Sequence, residues 1–269
     1  MTEIVSFNGA FLPADAVPLS LSDRGLTLGD GVFDTLLAHD GAPVDAQAHE
    51  SRFLRHAAVL GIPCPPVAFD VAIPALLFAN GFTAGRHAVR TTLTRGPSAR
   101  GLACPEKPEP TLIVRAAPAP EAAAALSAIV SRTVRRNEGS PLSRIKSLNY
   151  GDNILALREA KERGADEAIM LNNRGMACCG TASSLFVLLD GQWLTPPPED
   201  GVLDGIMRAR LLKTGLVRES SVTQTMLMDA EAAGLSNSLL GLRPLSSLDK
   251  KTMDAQAVQK LAAVLADPQ

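Results

Sequence analysis

Long apolar runs and an imbalance of charge are both absent from this 269-residue chain. Its 26 Lys and Arg nearly balance 28 Asp and Glu, which leaves a formal net charge of −2. Such a balance gives no electrostatic footprint for nucleic acid or an anionic membrane. No run approaches the ~20 apolar residues that span a bilayer. The N-terminus, MTEIVSFNGAFLPADAVPLS, lacks the basic and apolar parts of a secretory signal. We therefore expect a cytoplasmic protein with no nucleic-acid or membrane partner.

Cysteine is scarce, with four residues, two of them adjacent in the stretch GMACCGTASSLF. Cys178 and Cys179 are poor partners for each other, because a disulfide between neighbours needs a strained peptide. Cys64 and Cys104 are distant from this pair and from each other. No C-x-x-C motif is present and no nearby His completes a zinc set. The sequence therefore predicts neither a disulfide nor a metal site.

Internal repeats, a G-x-G-x-x-G motif and a P-loop are also absent, so the pattern does not favour a wound βαβ sheet. Turn signals instead separate short apolar runs that are typical of hairpins: Asn8-Gly9, Asp40-Gly41, Asn173 to Gly175 and Asp190-Gly191. Helical patterns cover 46–62, 153–164 and 251–265, and the segment 201–215 is expected to be a loop that runs into a helix ending at Gly215. An Ala/Pro-rich linker at 118–125 separates a domain at 1–117 from one at 126–269. The chain is therefore expected to be α+β, with two domains.

Lysine is the rarer basic residue, with 7 Lys against 19 Arg, so an unusual Lys stands out. Lys146 lies in RIKSLNYGDN, where a strand-like run meets a helix, and the only Tyr of the chain, Tyr150, follows four residues later. A lysine that is desolvated at such a junction has a lowered pKa and forms a Schiff base with an aldehyde. The alternative interpretation is a surface lysine at a helix start.

The segment VLDGIMRARLL offers a candidate anion site. Gly205 at a helix entrance leaves the amides of Ile206 and Met207 unpaired, and such amides bind anions. The alternative is a plain helix start with Asp204 as its N-cap.

Two further segments carry polar groups suited to an anion. Asn237 and Ser238 offer small donors inside the apolar run LSNSLLGLRPL, although a strand with a turn explains them equally well. Arg52 shares one face of the helix at 46–62 with His49 and His56. It is either a bidentate phosphate partner or a solvated charge.

Seven segments, taken together and in order, resemble one family: SDRGLTLGDGVFDTL, HESRFLRHAAVLGI, LTRGPSARGL, KSLNYGDNILALREA, GMACCGTASSLF, GVLDGIMRARLL and SNSLLGLRPL. They look like the successive motifs of the class IV, fold-type IV pyridoxal-phosphate enzymes. That family contains branched-chain and D-amino-acid aminotransferases and aminodeoxychorismate lyase. The resemblance implies two α/β domains with pyridoxal 5'-phosphate between them. It also implies a homodimer whose partner helps to wall the active site.

The resemblance also implies roles for individual residues. Lys146 matches the Schiff-base lysine, and Arg52 matches the phosphate-binding arginine of the first domain. The other positions that match cofactor-binding residues are Gly205, Ile206 and Met207 at the helix start, Asn237 and Ser238 in a second phosphate loop, Leu203 against the ring, and Tyr150 near the cofactor.

The adjacent cysteines align with the family pattern G-x-x-x-E-x-x-x-S-N-x-F from Gly175 to Phe186, with Cys179 at the Glu position and Ser184 at the Asn position. In the family the Glu pairs with the protonated pyridine nitrogen. A neutral thiol is a weak hydrogen-bond partner and does not match a carboxylate there. The alignment predicts that Cys179 faces the ring nitrogen, and strand alternation aims Cys178 at the other face. The alternative is that Cys179 fills a small apolar pocket.

The substrate-binding positions depart from those of the D-amino-acid aminotransferases, which hold a carboxylate with a Tyr and an R-x-H pair. Here Phe33 replaces the Tyr and Leu102 replaces the His. The segments LTRGPSARGL and SNSLLGLRPL are more similar to those of aminodeoxychorismate lyase. The resemblance implies that Arg100 and Arg243 bind substrate carboxylates. Thr35 either faces the site or is a buried structural residue.

The sequence therefore favours a lyase that releases pyruvate and forms 4-aminobenzoate for folate synthesis. The first alternative is an aminotransferase for D- or branched-chain amino acids. The second is a non-catalytic protein that binds pyridoxal phosphate.

Overall fold

A computed structural model describes residues 2–121 and 125–265, which form two compact units. The first unit contains the chain up to Pro120 together with Lys146–Asn149, and the second contains Glu121–Ile145 and the chain from Tyr150 onward. The division differs from the two continuous segments predicted from the sequence, because four residues of the second segment belong to the first unit. Parts of the predicted linker and C-terminal domain, 122–124 and 266–269, lie outside the described residues.

The first unit contains a six-stranded antiparallel sheet with the strand order β2-β1-β6-β5-β3-β4. Its strands are β1 (Ile4–Phe7), β2 (Ala10–Pro13), β3 (Gly31–His39), β4 (Ala42–Pro43), β5 (Arg86–Thr94) and β6 (Thr111–Pro118). Its helices are α1 (Arg24–Leu28), α2 (Ala46–Val59) and α3 (Phe69–Ala79). The hairpins predicted at Asn8-Gly9 and Asp40-Gly41 are confirmed, and all four turn residues have positive φ.

Helix α2 confirms the helix predicted at 46–62 but ends three residues earlier. Gly61 follows it with φ of 62°, a left-handed conformation that stops a helix. Phe53 and Ala57 are buried, whereas Leu60 is half-buried. The helix packs against β3. Along that strand, Asp34 points toward α2, and alternation places Phe33 and Thr35 on the opposite face.

The second unit contains a ten-stranded mixed sheet in the described part of the chain. Its strands are β7 (Leu126–Arg136), β8 (Glu167–Asn172), β9 (Met176–Cys179), β10 (Ser184–Leu189), β11 (Gln192–Thr195), β12 (Val217–Glu219), β13 (Val222–Thr223), β14 (Ala232–Asn237), β15 (Gly241–Leu248) and β16 (Lys251–Thr252). Its helices are α4 (Gly151–Glu162), α5 (Ile206–Lys213), α6 (Gln224–Asp229) and α7 (Ala255–Ala263).

Six strands of this sheet close into a ring, because Cys179 of β9 pairs with Ser184 of β10. The order around the ring is β7, β8, β9, β10, β14 and β15, with parallel pairing of β7 to both β8 and β15. One apolar cluster takes side chains from all six strands, so it fills the inside of the ring. Helix α4 packs on the outside against β7 and β8.

The remaining predicted elements are confirmed, with one correction. The hairpins at Asn173 to Gly175 and at Asp190-Gly191 join β8 to β9 and β10 to β11. The helix predicted at 251–265 is shorter, because Lys251–Thr252 pairs with β15 as a strand. Helix α7 begins after Asp254, whose carboxylate accepts from the amides of the first turn. No helix within residues 2–121 and 125–265 has the length and apolar character needed to cross a membrane.

Candidate active site

Lys146 lies on a short segment that pairs with the start of β3. Its carbonyl accepts from the amide of Phe33 at 2.8 Å, and the amide of Leu148 donates to Gly31 at 3.0 Å. Its own amide donates to Nδ1 of His56 at 3.2 Å, so the proton of that imidazole is on Nε2. The backbone of Lys146 is therefore fixed at both its donor and its acceptor.

The Lys146 amine lies in a half-buried, cationic environment rather than on the surface. Its Nζ is 4.5 Å from the centre of the Phe33 ring. The guanidinium carbon of Arg90 is 3.7 Å from the centre of the same ring. Burial lowers the pKa of Lys146 to about 8; the charges of Arg52 and Arg90 also lower it, and Asp34 opposes them. Such an amine is deprotonated often enough near neutral pH to act as a nucleophile or a base.

Arg52 is a buried partner of Asp34 and not a solvated charge, since only 2% of the residue is exposed. Its Nε and Nη2 each donate to the Asp34 carboxylate at 2.9 Å. His49 Nδ1 donates to the same carboxylate at 2.7 Å. Burial opposes ionisation of Asp34, but the bonds and charges of His49 and Arg52 outweigh it and lower the pKa of Asp34 to about 2. Asp34 and Arg52 form a buried ion pair, and His49 bonds to the same carboxylate.

One face of the first unit's sheet brings polar groups together beside the Lys146 amine. Thr35 on β3 pairs in register with Arg90 on β5, and Phe33 pairs with Thr92. Arg90 Nε donates to the Thr92 hydroxyl at 3.3 Å. The resemblance predicts Phe33 at the site and leaves Thr35 either at the site or in the core, whereas Arg90 is not predicted. Arg90 is found only from the register of β3 against β5, which the sequence of either strand alone does not reveal.

Arg100 lies elsewhere, on an exposed loop that is built around a buried guanidinium. Arg24 donates to the carbonyls of Gly101, Leu102 and Ala103. It also pairs with Asp30 at 2.7 Å. Among the described contacts, none joins Arg100 to the cluster around Lys146.

Helix α5 of the second unit begins at an open N-terminus. Its N-cap is Gly205, with no side-chain cap, so Gly205 lies at the helix entrance as predicted and the alternative with Asp204 as the N-cap is wrong. The amides of Ile206 and Met207 lie in the first turn, where no intrahelical acceptor is available. A Cβ added to Gly205 would lie 2.7 Å from the Ser184 hydroxyl oxygen, so only glycine fits there without a shift.

Small hydroxyl groups from neighbouring strands also lie in this part of the second unit. Ser184 of β10 pairs in register with Ser236 of β14. In the described residues, the hydroxyl oxygens of Ser183 and Ser236 are buried and have no hydrogen-bond partner. Buried polar groups are almost always paired in native proteins. These two hydroxyls therefore lack the partner that a bound polar group would supply.

Asn237 and Ser238 lie where β14 turns into β15, so a strand with a turn describes the segment. The Asn237 carboxamide oxygen accepts from the amides of Leu239 at 3.1 Å and Leu240 at 2.9 Å. That oxygen shapes the turn, as Asn commonly does.

The cysteine pair forms a β-bulge. Met170 pairs with Cys179, but Leu171 pairs with Ala177, so Cys178 is an extra residue in β9. Cys178 is fully buried, and its Sγ donates to the carbonyl of Asp200 at 3.1 Å. Regular alternation is therefore interrupted at Cys178, and the two cysteines have different contacts.

Cys179 is half-buried and packs against the apolar cluster between the strand ring and α4, which includes Ala156 and Met170. Burial raises the pKa of its thiol; Arg136 opposes this and Glu167 adds to it. The thiol is therefore neutral. Glu167 is the carboxylate that raises the pKa of the Cys179 thiol. Its Oε1 already accepts from the amides of Ala168 at 2.9 Å and Thr181 at 3.1 Å.

Three other predicted positions are in the second unit. Tyr150 precedes α4 at its N-cap, and Leu203 lies in the loop before Gly205; both are half-buried. Arg243 is on β15, and burial lowers its pKa, which Glu167 opposes. Its Nε is buried without a partner among the described groups. Within those residues, no three His, Cys, Asp or Glu side chains group as a metal site requires.

The family described as amino-transferase class IV matches residues 31–248 of this chain. The chain belongs to the class IV aminotransferase family. The match contains Lys146, Arg52, Cys179 and the start of α5, which are the positions on which the sequence resemblance depends.

The relatives of this class IV chain are named for more than one activity. A Methanocaldococcus jannaschii protein, provisionally assigned as a branched-chain-amino-acid aminotransferase, is 29% identical over 97% of this chain and 93% of its own length. The aminodeoxychorismate lyase of Bacillus subtilis is 25% identical over 97% of this chain and 92% of its own length. A solved Legionella pneumophila structure, provisionally assigned as a 4-amino-4-deoxychorismate lyase, has a TM-score of 0.84 and 30% identity. That match covers 94% of this chain and 96% of the other.

Proposed function

We propose that this class IV protein is a pyridoxal-phosphate-dependent, aminodeoxychorismate lyase-like enzyme. It converts 4-amino-4-deoxychorismate to 4-aminobenzoate and pyruvate, for folate synthesis, and works as a homodimer. The observation that carries the choice of lyase is the neutral thiol of Cys179 at the position of the family's Glu. Lyases among the relatives also support it.

The residues present fit a phosphate-bearing aldehyde. The Lys146 amine has a lowered pKa, and Gly205 leaves the entrance of α5 open. Two buried hydroxyls nearby have no partner within the described residues. When bound, the cofactor supplies an electron sink for bond breaking at the carbon that carries the substrate amine. In this proposal Lys146 holds the aldehyde carbon.

The other cofactor contacts in the proposal follow the family positions. Arg52 binds the phosphate through its guanidinium. The amides of Ile206 and Met207 bind it at the helix start, where the backbone dipoles favour an anion. The remaining contacts are Asn237 and Ser238 to the phosphate, and Leu203 and Tyr150 to the ring.

Lys146 also acts as the base in this proposal. With a pKa of about 8, about a tenth of the amine is neutral at pH 7. It removes the proton from the substrate ring carbon that bears nitrogen. The C–O bond to the enolpyruvyl group breaks, pyruvate leaves as its enol, and the ring becomes aromatic.

The substrate has two carboxylates, so it needs cationic partners. Arg90 is the guanidinium that the structure places beside Lys146, 3.7 Å from the Phe33 ring centre. We assign one carboxylate to Arg90, in addition to the predicted Arg100 and Arg243. Phe33 offers an apolar surface for the substrate ring.

Cys179 favours elimination over amino transfer because it gives the ring nitrogen no anionic partner. Its thiol is kept neutral by burial. Transamination depends on a strong electron sink, whereas the elimination also gains the driving force of aromatisation. The weaker sink therefore costs the lyase reaction less.

A branched-chain or D-amino-acid aminotransferase is the second candidate. The Methanocaldococcus jannaschii relative, at 29% identity, favours the branched-chain form. Phe33 lacks the hydroxyl that the D-amino-acid enzymes use at this position. A non-catalytic protein that binds pyridoxal phosphate is the third candidate, and it is favoured by the same Cys179.

One set of assays separates these candidates. The purified protein is incubated with 4-amino-4-deoxychorismate, and pyruvate and 4-aminobenzoate are measured. Equal amounts of both products are expected. Borohydride reduction followed by peptide mapping should place the cofactor on Lys146, and Lys146→Ala should abolish turnover while the protein stays folded. A 2-oxo acid formed from an amino acid donor without 4-aminobenzoate would identify an aminotransferase. Label on Lys146 without either reaction would identify the non-catalytic protein, and label on another lysine would refute the site.

A further inference from the structure

The charged groups around the Lys146 amine are unequal in sign. The charges of Arg52 from α2 and Arg90 from β5 lower the pKa of the amine. Among the described residues, Asp34 from β3 is the carboxylate that raises it. His56 of α2 receives the Lys146 amide on Nδ1. Asp34 is therefore the group that limits the positive charge beside Lys146.

Asp34 is held more firmly than a surface carboxylate. Only 1% of it is exposed, and both of its oxygens accept from the Arg52 guanidinium at 2.9 Å. His49 adds a third bond at 2.7 Å. A planar guanidinium bonded at Nε and Nη2 to one carboxylate has a single orientation.

The backbone ties this ion pair to Lys146. Asp34 directly follows Phe33, whose amide donates to the Lys146 carbonyl at 2.8 Å and whose ring is 4.5 Å from the Lys146 Nζ. The Lys146 backbone and Asp34 are thus joined through a single residue of β3, Phe33. An opposite charge at such a site favours the protonated amine, and a like charge disfavours it.

We propose that Asp34 is a positioning residue that acts through Arg52: it fixes the guanidinium in one orientation and offsets its charge beside the Lys146 amine. Without Asp34, the Arg52 charge would act on Lys146 uncompensated, and the amine would lose its proton at lower pH. Only the link from Arg52 to a phosphate rests on the proposed function. The effect on Lys146 needs no cofactor.

The experiment measures the reactivity of Lys146 in the full chain after hydroxylamine has removed any carbonyl cofactor. Formaldehyde and cyanoborohydride methylate free amines, and peptide mass spectrometry gives the rate at Lys146 from pH 6 to pH 10. The wild-type midpoint is expected near pH 8. Asp34→Asn should lower it by about one pH unit or more, whereas Asp34→Glu should keep it within a few tenths.

Arg52→Gln makes the test independent of Asp34→Asn. Removing the cation should raise the Lys146 midpoint, and the double variant should return it toward the wild-type value. If Asp34→Asn does not fold, these two variants decide, and an Arg52→Gln midpoint that does not rise refutes the proposal.

Asp30→Asn is the matched control, because Asp30, like Asp34, accepts hydrogen bonds from arginine. Its partners are Arg24 and Arg95. It is not among the groups that act on Lys146. An unmoved midpoint in folded Asp34→Asn, or the same shift in Asp30→Asn, overturns the proposal. The methylation test is run without cofactor. A result that overturns the role of Asp34 is therefore distinct from the borohydride result that would refute the proposed function.

Discussion

Glu159→Gln should destabilise the protein strongly at neutral pH and much less in acid. Glu159 of α4 is only 8% exposed, and its carboxylate bonds the part of β7 where the strand register shifts. It accepts from the Ser131 and Thr133 hydroxyls, each at 2.8 Å, and from the amides of Arg132 and Thr133. Arg163 Nη1 donates to it at 2.9 Å. The Glu159 carboxylate thereby satisfies the backbone amides of Arg132 and Thr133, which lie in the irregular part of the strand.

The size of the effect follows from the carboxylate's pKa. Burial opposes ionisation, but the hydrogen bonds from Ser131, Thr133, Arg132 and Arg163 outweigh it and lower the pKa of Glu159 from 4.5 to about 2. At about 1.4 kcal/mol per pH unit, the ionised form contributes about 3 kcal/mol to the free energy of unfolding. Because the pKa is depressed in the folded state, this contribution is complete above pH 4.5 and is lost as the pH falls toward 2.

Urea unfolding of wild type and Glu159→Gln from pH 7 to pH 3 measures this difference. Glu162→Gln on the same helix is the control, since Glu162 forms an exposed pair with Arg158 at 3.4 Å. Exposed pairs of this kind contribute about 0.3–0.5 kcal/mol. Equal losses in the two variants at pH 7, or a Glu159→Gln loss that does not shrink in acid, would refute the reasoning.

Two further predictions concern the cofactor. Arg52→Ala should weaken pyridoxal phosphate affinity by about 1.5–3 kcal/mol, roughly ten- to a hundred-fold, because a charge-assisted contact is lost. Absorbance titration measures it, and an unchanged affinity would leave Arg52 as a partner of Asp34 only. Cys179→Glu should raise the pKa of the bound pyridine nitrogen and shift the cofactor's visible spectrum, because a carboxylate pairs with a pyridinium better than a thiol does. Cys178→Ala should do little, since the buried Cys178 Sγ is bonded to the carbonyl of Asp200. A spectral change confined to Cys178 variants, or an unchanged spectrum in a destabilised Cys179→Glu, would contradict the assignment.

Features encoded by neighbouring residues were predictable from the sequence. The Asn8-Gly9 and Asp40-Gly41 turns follow from residues that adopt positive φ, and their hairpins are confirmed. The open start of α5 at Gly205 was predicted in the same way, and the alternative cap at Asp204 is wrong. The family itself followed from seven ordered motifs, and its match confirms it.

Features that depend on distant pairing were not predictable. Lys146 joins the first unit because it bonds to Phe33, which is 113 positions earlier in the chain. The bulge at Cys178 depends on the register of β8 against β9, and alternation alone misses it. A partner for Asp34 was predictable from the sequence, because a charged residue inside the buried run GVFDTL must have one.

The path of the chain between Ile145 and Tyr150 limits how this protein can be dissected. Four residues leave the second unit, complete the edge of β3 in the first, and then return. A fragment that stops at Pro120 contains the whole six-stranded sheet but not the lysine beside it. A fragment that begins at Glu121 carries that lysine without the strand that fixes its backbone. Expression as two separate pieces therefore divides Lys146 from Phe33 and His56 wherever the single cut is made in the linker.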